Sequence, residues 1–385
     1  MNPLGSQLKT TLEITDEVPS SEGLKGSPAE SSIWSVLKNV VSIIFLPYGL
    51  YRLVHWVALT LIVPSASMVG VKQEDLDRTR EFGVFVHSEE YNTPISEGGS
   101  EVIAKWKREA NYNQLHPISQ LTRVAILVDD MIIDAMIMKP TAFTDNGRWL
   151  LQANGNYEYY EHNIAGSSLD NMLNALQASA ILFNYPGAGA STGTATPETM
   201  QKAYRAVLSY VEDKLQAKEV IGYGHSLGGG IQATALVDHQ LKKDVKYVFI
   251  QGRSFSRLSE AAAGFFSSVI GPLARGIVRG LGLEIDAAKA IEKIQQSNPE
   301  TKFIIVQTGY FPSQVWAPQP TEAIYDGVIT AQGALSGHVS ADIPVVFCKE
   351  MHNSRFEDQT LILIKNEVNK VLQSTKPPVF EPETF

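Results

Sequence analysis

Eight short, mostly apolar runs fall at residues 123–128, 131–138, 148–153, 178–184, 219–223, 246–250, 302–307 and 343–349. From the third run onward, amphipathic helical stretches occupy the longer intervals at 167–177, 197–215 and 227–241, with one long helix predicted over about 256–296. Runs this short and this apolar bury both faces, as strands do in a sheet covered on each side. A strand that alternates with a helix returns to the same edge direction, so the strands run parallel. Only Asp129 and Asp130 separate the first two runs, too short a link for a crossover. The expected fold is therefore α/β: about eight strands, mostly parallel, opened by one antiparallel pair.

The run at 219–223 ends in Gly224-His225-Ser226-Leu227-Gly228 and leads into a helical pattern. A serine lifted onto a sharp strand-to-helix turn needs neighbours two positions away that carry no side chain, and Gly224 and Gly228 meet that requirement. The helix that follows points its N-terminal dipole and unpaired amides back at the turn, where they stabilise a developing oxyanion. The backbone N–H of Leu227 is one expected donor. The bare five-residue pattern arises by chance in roughly one chain in eight of this length at typical residue usage. This chain carries a second copy, Gly189-Ala190-Ser191-Thr192-Gly193, several residues beyond its strand in a loop with Pro186 and Gly187. Context rather than pattern thus selects Ser226 as nucleophile over Ser191. A dinucleotide loop is not supported, because the sixth position of the fingerprint is Thr192 in one glycine-rich loop and Leu227 in the other.

Together, the strings 183–193 (Phe-Asn-Tyr-Pro-Gly-Ala-Gly-Ala-Ser-Thr-Gly) and 222–229 (Gly-Tyr-Gly-His-Ser-Leu-Gly-Gly) resemble the α/β-hydrolase superfamily. They are similar to its loop after strand four and its nucleophile elbow after strand five. The resemblance covers about residues 123–372. With its hydrophobic N-terminal segment, the whole chain also resembles the CHLPS family, described from chlamydiae and other intracellular bacteria. This resemblance implies an α/β-hydrolase fold and a serine-hydrolase mechanism cleaving an ester, thioester or amide. It names no substrate and implies no cofactor or metal.

In that fold the chain order is serine, then acid, then histidine, so the base follows Ser226. His239, His338 and His352 do so. His239 lies in the helix after the serine, and His338 precedes the last strand, at the wrong end of the sheet. His352 follows the run at 343–349 and is the expected general base; His225, next to the serine, is an elbow residue. For the acid, Asp326 opens an Asp-Gly-Val-Ile turn, but about eighteen residues separate it from its strand, so a long loop has to fold back. Glu322 is the alternative, while Asp342 sits at the wrong end. The second oxyanion donor is expected after the third strand, where Asn154-Gly155 departs from the His-Gly often found there. The N–H of Asn156 or of Tyr157 would serve.

The N-terminal third is harder to read. Residues 1–30 form an expected disordered leader, with acidic Glu13, Asp16, Glu17 and Glu22 and no signal-peptide pattern. Residues 31–64 form a hydrophobic helical segment, 65–117 a connecting region, 118–373 the catalytic domain and 374–385 a tail. Between 33 and 63, Pro47 divides the apolar run and Arg52 would sit in hydrocarbon if the segment spanned a bilayer. Three readings stay open: helices on the catalytic core as a lid, an interfacial membrane anchor, or a span. The expected location is cytoplasmic or peripherally membrane-associated, with a small-molecule or acyl substrate and a membrane surface through 33–63 as partners. A net charge of −9 without a long basic block argues against nucleic acid. The single cysteine, Cys348, rules out an internal disulfide framework. The rival reading is a non-catalytic member of the fold that binds a partner, anchored by residues 33–63.

Overall fold

The computed structural model describes residues 120–140, 142–156, 158, 160, 163, 167–189, 191–265, 270–309 and 323–374. The hydrophobic segment at 33–63, Tyr157 and Glu322 lie outside these residues.

Eight strands form one sheet in the order β1-β2-β4-β3-β5-β6-β7-β8. They are β1 (Gln120–Val128), β2 (Met131–Lys139), β3 (Arg148–Ala153), β4 (Ser179–Phe183), β5 (Glu219–His225), β6 (Lys246–Gly252), β7 (Lys302–Thr308) and β8 (Val345–Cys348). β1 pairs antiparallel with β2, and β2 antiparallel with β4; every other pairing is parallel. This is the eight-stranded, mostly parallel sheet that the sequence predicts, and it is an α/β-hydrolase fold. β3, β4, β5, β6 and β7 are buried almost throughout, as strands covered on both faces must be.

Two separate cores lie on the two faces. On one, α2 (Pro197–Asp213), α3 (Leu227–Leu236) and α6 (Ala287–Ser297) pack Tyr204, Val207, Ile231 and Ile291 against Phe249, Phe303 and Ile305. On the other, α1 (Ser167–Leu176) and α7 (Asp358–Ser374) pack Leu173, Ile364 and Val368 against Leu150, Val248 and Val306. The buried apolar positions of α7, Leu361, Ile364, Val368 and Leu372, recur every three to four residues and so form one stripe. α2 begins where the sequence favours a start: Thr196 and Thr199 form a reciprocal cap, with Pro197 at the first turn.

The long helix predicted over 256–296 is not one element. It is α4 (Leu258–Phe265), α5 (Gly271–Gly280) and α6. Gly271 and Pro272 start α5, and Gly282 takes a positive φ of 70° just after it, a backbone that ends a helix. Asp286 then caps α6 by accepting from Lys289 N–H, while Leu258 N–H bonds Ile285 C=O and folds the segment back on itself. Apolar periodicity persisted through both breaks and hid them. α3 likewise ends at Leu236, short of the predicted 241.

Candidate active site

β5 ends at His225 and α3 begins at Leu227, so the whole turn between strand and helix is Ser226. Its φ of 52° and ψ of −114° lie where a side-chain-bearing residue is strained. Three backbone contacts hold it there: Ser226 N–H donates to Gly252 C=O at 2.9 Å, Gly229 N–H donates to Ser226 C=O at 3.1 Å, and the Ser254 hydroxyl donates to the same carbonyl at 2.8 Å. The flanking glycines are required by close approach. A Cβ on Gly224 would come within 2.6 Å of Gly229, and one on Gly228 within 2.1 Å of Ala153 C=O. Gly228 thus brings the start of α3 against the end of β3. Leu227 is the first helical residue, and its N–H has no partner within the helix.

Asp326 and His352 come together. The His352 ring donates through Nδ1 to Asp326 Oδ2 at 2.8 Å, and His352 N–H donates to Asp326 C=O at 2.8 Å. The other carboxylate oxygen accepts Val328 N–H at 3.0 Å and Ile329 N–H at 2.7 Å. A carboxylate that accepts at Nδ1 fixes that nitrogen as the protonated one, so Nε2 keeps its lone pair. The long separation of Asp326 from β7 is closed by a return of the chain: Gly309, next to the strand end, pairs with Ala323, and Ile324 N–H bonds Thr308 C=O. Asp326 is therefore two residues from a point tied to the strand end, not eighteen.

Both groups are buried, Asp326 completely. Burial pushes the Asp326 carboxyl up, but the hydrogen bond and charge of His352 and the two N–H groups outweigh it and hold it below its ordinary value. For His352, burial pushes the imidazole down; Asp326 pulls it up, and His225 and Arg253 push it down again, leaving it below its ordinary value. The rings of His352 and His225 stand 5.1 Å apart, which sets His352 beside the elbow.

The other histidines and serine have different partners. His239 binds the buried Glu212 carboxylate. His338 is exposed and bonds Gln332 C=O, and Asp342 is exposed beside Ser340. The Ser191 hydroxyl donates to Asn184 C=O at 2.7 Å and accepts Asp134 N–H at 2.9 Å. In the loop after β3, Asn154 donates from its amide to Phe183 C=O, Gly155 N–H donates to Glu158 Oε2, and Asn156 stands in the turn between them.

A family model described as Chlamydia CHLPS protein matches residues 29–301. The chain belongs to the CHLPS family. The matched span contains the elbow and ends before Asp326 and His352. No curated protein sequence matches the chain. Among solved structures, it is similar to an alpha-beta hydrolase from Vibrio vulnificus, at 12% identity and a TM-score of 0.47, over 77% of this chain and 92% of that one. It is also similar to an esterase from Pyrococcus furiosus, at 12% identity and a TM-score of 0.46, over 66% and 91%. A third, an alpha-beta serine hydrolase homologue from Coxiella burnetii, is 16% identical with a TM-score of 0.38, over 66% and 97%.

Two residues of this CHLPS chain at the site escape a reading of its sequence. Arg253, just past β6 with a φ of 48°, donates from one guanidinium nitrogen to Met351 C=O at 2.6 Å and Ser354 C=O at 2.8 Å. It also stacks over Phe356, 4.4 Å from the ring centre, and so braces the loop that carries His352. Glu158 accepts from Gly155 and bonds His225. The hydrogen bonds from Glu158 to His225 and from Arg253 to Met351 and Ser354 join residues 67 to 101 apart in the chain, and no local period marks such contacts.

Proposed function

We propose that this CHLPS protein is a serine hydrolase that cleaves an ester, thioester or amide through an acyl-enzyme on Ser226. The observation that carries this reading is the bond from His352 Nδ1 to Asp326 beside a strained strand-to-helix serine. In the proposed mechanism Ser226 Oγ attacks the substrate carbonyl carbon while His352 Nε2 takes the hydroxyl proton. Asp326 holds the imidazole in the required tautomer and offsets the positive charge that forms. The N–H groups of Leu227 and of Asn156 or Tyr157 receive the oxyanion. His352 then passes its proton to the leaving group, and water, deprotonated by the same base, releases the acyl product and restores Ser226. The apolar run at 33–63 supports an acyl ester over a polar peptide as substrate.

A fluorophosphonate probe tests the mechanism, because only a base-activated serine attacks phosphorus quickly. One adduct on Ser226, absent in Ser226→Ala, is the expected mass-spectrometric result. A folded protein that takes no probe and hydrolyses no ester of any chain length is instead a binding protein built on the same fold.

A further inference from the structure

His225 stands next to the nucleophile in sequence, yet both of its ring nitrogens are committed elsewhere. Nε2 lies 2.9 Å from His352 C=O and Nδ1 lies 2.7 Å from Glu158 Oε1. A carbonyl oxygen only accepts, so Nε2 carries a proton. The contact at Nδ1 also needs a proton, placed either on the ring or on Glu158. Glu158 Oε2 meanwhile accepts Gly155 N–H at 2.6 Å, a bond that favours the carboxylate. The proton count therefore closes with a carboxylate and an imidazolium.

We propose that His225 and Glu158 form a charged positioning pair that locks three segments together: the oxyanion loop through Gly155, the elbow through His225 itself, and the base loop through His352 C=O. This inference rests on the serine-hydrolase reading for its kinetic consequence, but not for the charge of the pair. Each of the three segments leaves a different strand, β3, β5 or β8, and sheet pairing does not fix loop positions beyond strand ends. One ion pair joining all three does. The charged and titratable groups around the pair are His352, with Asp326 behind it and Arg253 from the end of β6 acting on it, and the buried hydroxyls of Tyr185 and Tyr223, both of which feel the Glu158 charge. An imidazolium 5.1 Å from the His352 ring also opposes protonation of His352 and so keeps it a base.

The test joins spectroscopy to kinetics on the full chain. Long-range proton–nitrogen spectra of histidine-labelled protein at neutral pH are expected to show both His225 ring nitrogens protonated, and Glu158→Gln is expected to return His225 to a neutral ring. The resonance is assigned by its loss in His225→Gln or, should that variant not fold, by through-space contacts to the His352 ring. With a short p-nitrophenyl ester, Glu158→Gln is expected to lower kcat about tenfold or more with little change in KM. His225→Gln removes the neighbouring cation and leaves Glu158 charged, so the acid limb of kcat/KM is expected to move to higher pH, with roughly tenfold lower kcat/KM in mild acid. A singly protonated His225 in the wild type, or an unmoved acid limb in His225→Gln, overturns the proposal. If the wild type takes no fluorophosphonate and hydrolyses no ester, the hydrolase reading fails alone, and the imidazolium spectrum still decides the pair.

Discussion

Ser191 and Ser226 sit in the same five-residue pattern of one chain, and both are nearly buried, at 6% and 8% exposure. Their hydroxyls have opposite fates. Ser191 spends its hydroxyl in both directions on backbone groups, and its neighbour Thr192 accepts Ile132 N–H, so this copy stitches a loop to β2. Among the described residues Ser226 is held through its backbone, and its hydroxyl does not cap the helix it starts. The difference is distance from the strand end. Ser226 follows β5 at once and is forced into positive φ, whereas seven residues separate β4 from Ser191 and let that loop relax onto the sheet. On the proposed hydrolase reading, the copy with the strained backbone is the reactive one, and the copy whose side chain completes a hydrogen-bond network is inert.

The contrast breaks most sharply on activity. Ser226→Ala is expected to lower ester turnover by at least about a thousandfold, whereas Ser191→Ala leaves the fluorophosphonate adduct in place and costs about 1–3 kcal/mol of stability through loss of the bond from Asp134 N–H. An adduct on Ser191 in tandem mass spectra would reverse the assignment. Next, Asp326→Asn is expected to lower turnover by more than about a hundredfold, because an amide at this position favours the wrong His352 tautomer. Glu322→Gln is expected to have little effect; steady-state kinetics of the two variants decide the acid.

Glycine substitution sharpens the comparison on stability. A methyl group at Gly228 meets the backbone carbonyl of Ala153, which cannot yield, so Gly228→Ala is expected to cost about 3 kcal/mol or to prevent folding. At Gly193, the last glycine of the other copy, the obstacle is the flexible Met131 side chain together with a φ of 91°, for about 1–3 kcal/mol. Chemical denaturation ranks the two. The smallest expected effect is the pH profile. His352 stays neutral below its ordinary value of 6.5, so kcat/KM holds its plateau as pH falls through 6.5 and drops only at more acidic pH. The stability that His352 contributes follows the same sign: present above 6.5 and lost as pH falls through the lowered folded value. For Asp326 the window lies lower, below 3.8. A profile that falls already above 6.5 would contradict the depressed base.

Much of the architecture was legible because strands buried on both faces leave an uninterrupted apolar signature, and the strands from β1 to β8 appear within a few residues of their predicted positions. Ser226 was legible because its turn needs glycines at fixed offsets from the serine, and the direction of β8 set His352 and His338 at opposite ends. The sequence by itself therefore determined the sheet, the elbow and the expected order of serine, acid and base. Tertiary structure alone decided what joins across the chain: the return of 323–326 to the end of β7, the brace from Arg253 to the His352 loop, and the Glu158–His225 contact. It also decided where the predicted 256–296 helix breaks, since apolar periodicity runs through Gly271 and Gly282 without a gap. Periodicity reports which face of an element is buried. It carries no information on which distant loop meets that face, because such meetings are fixed only when strands of different sequence position share one sheet end.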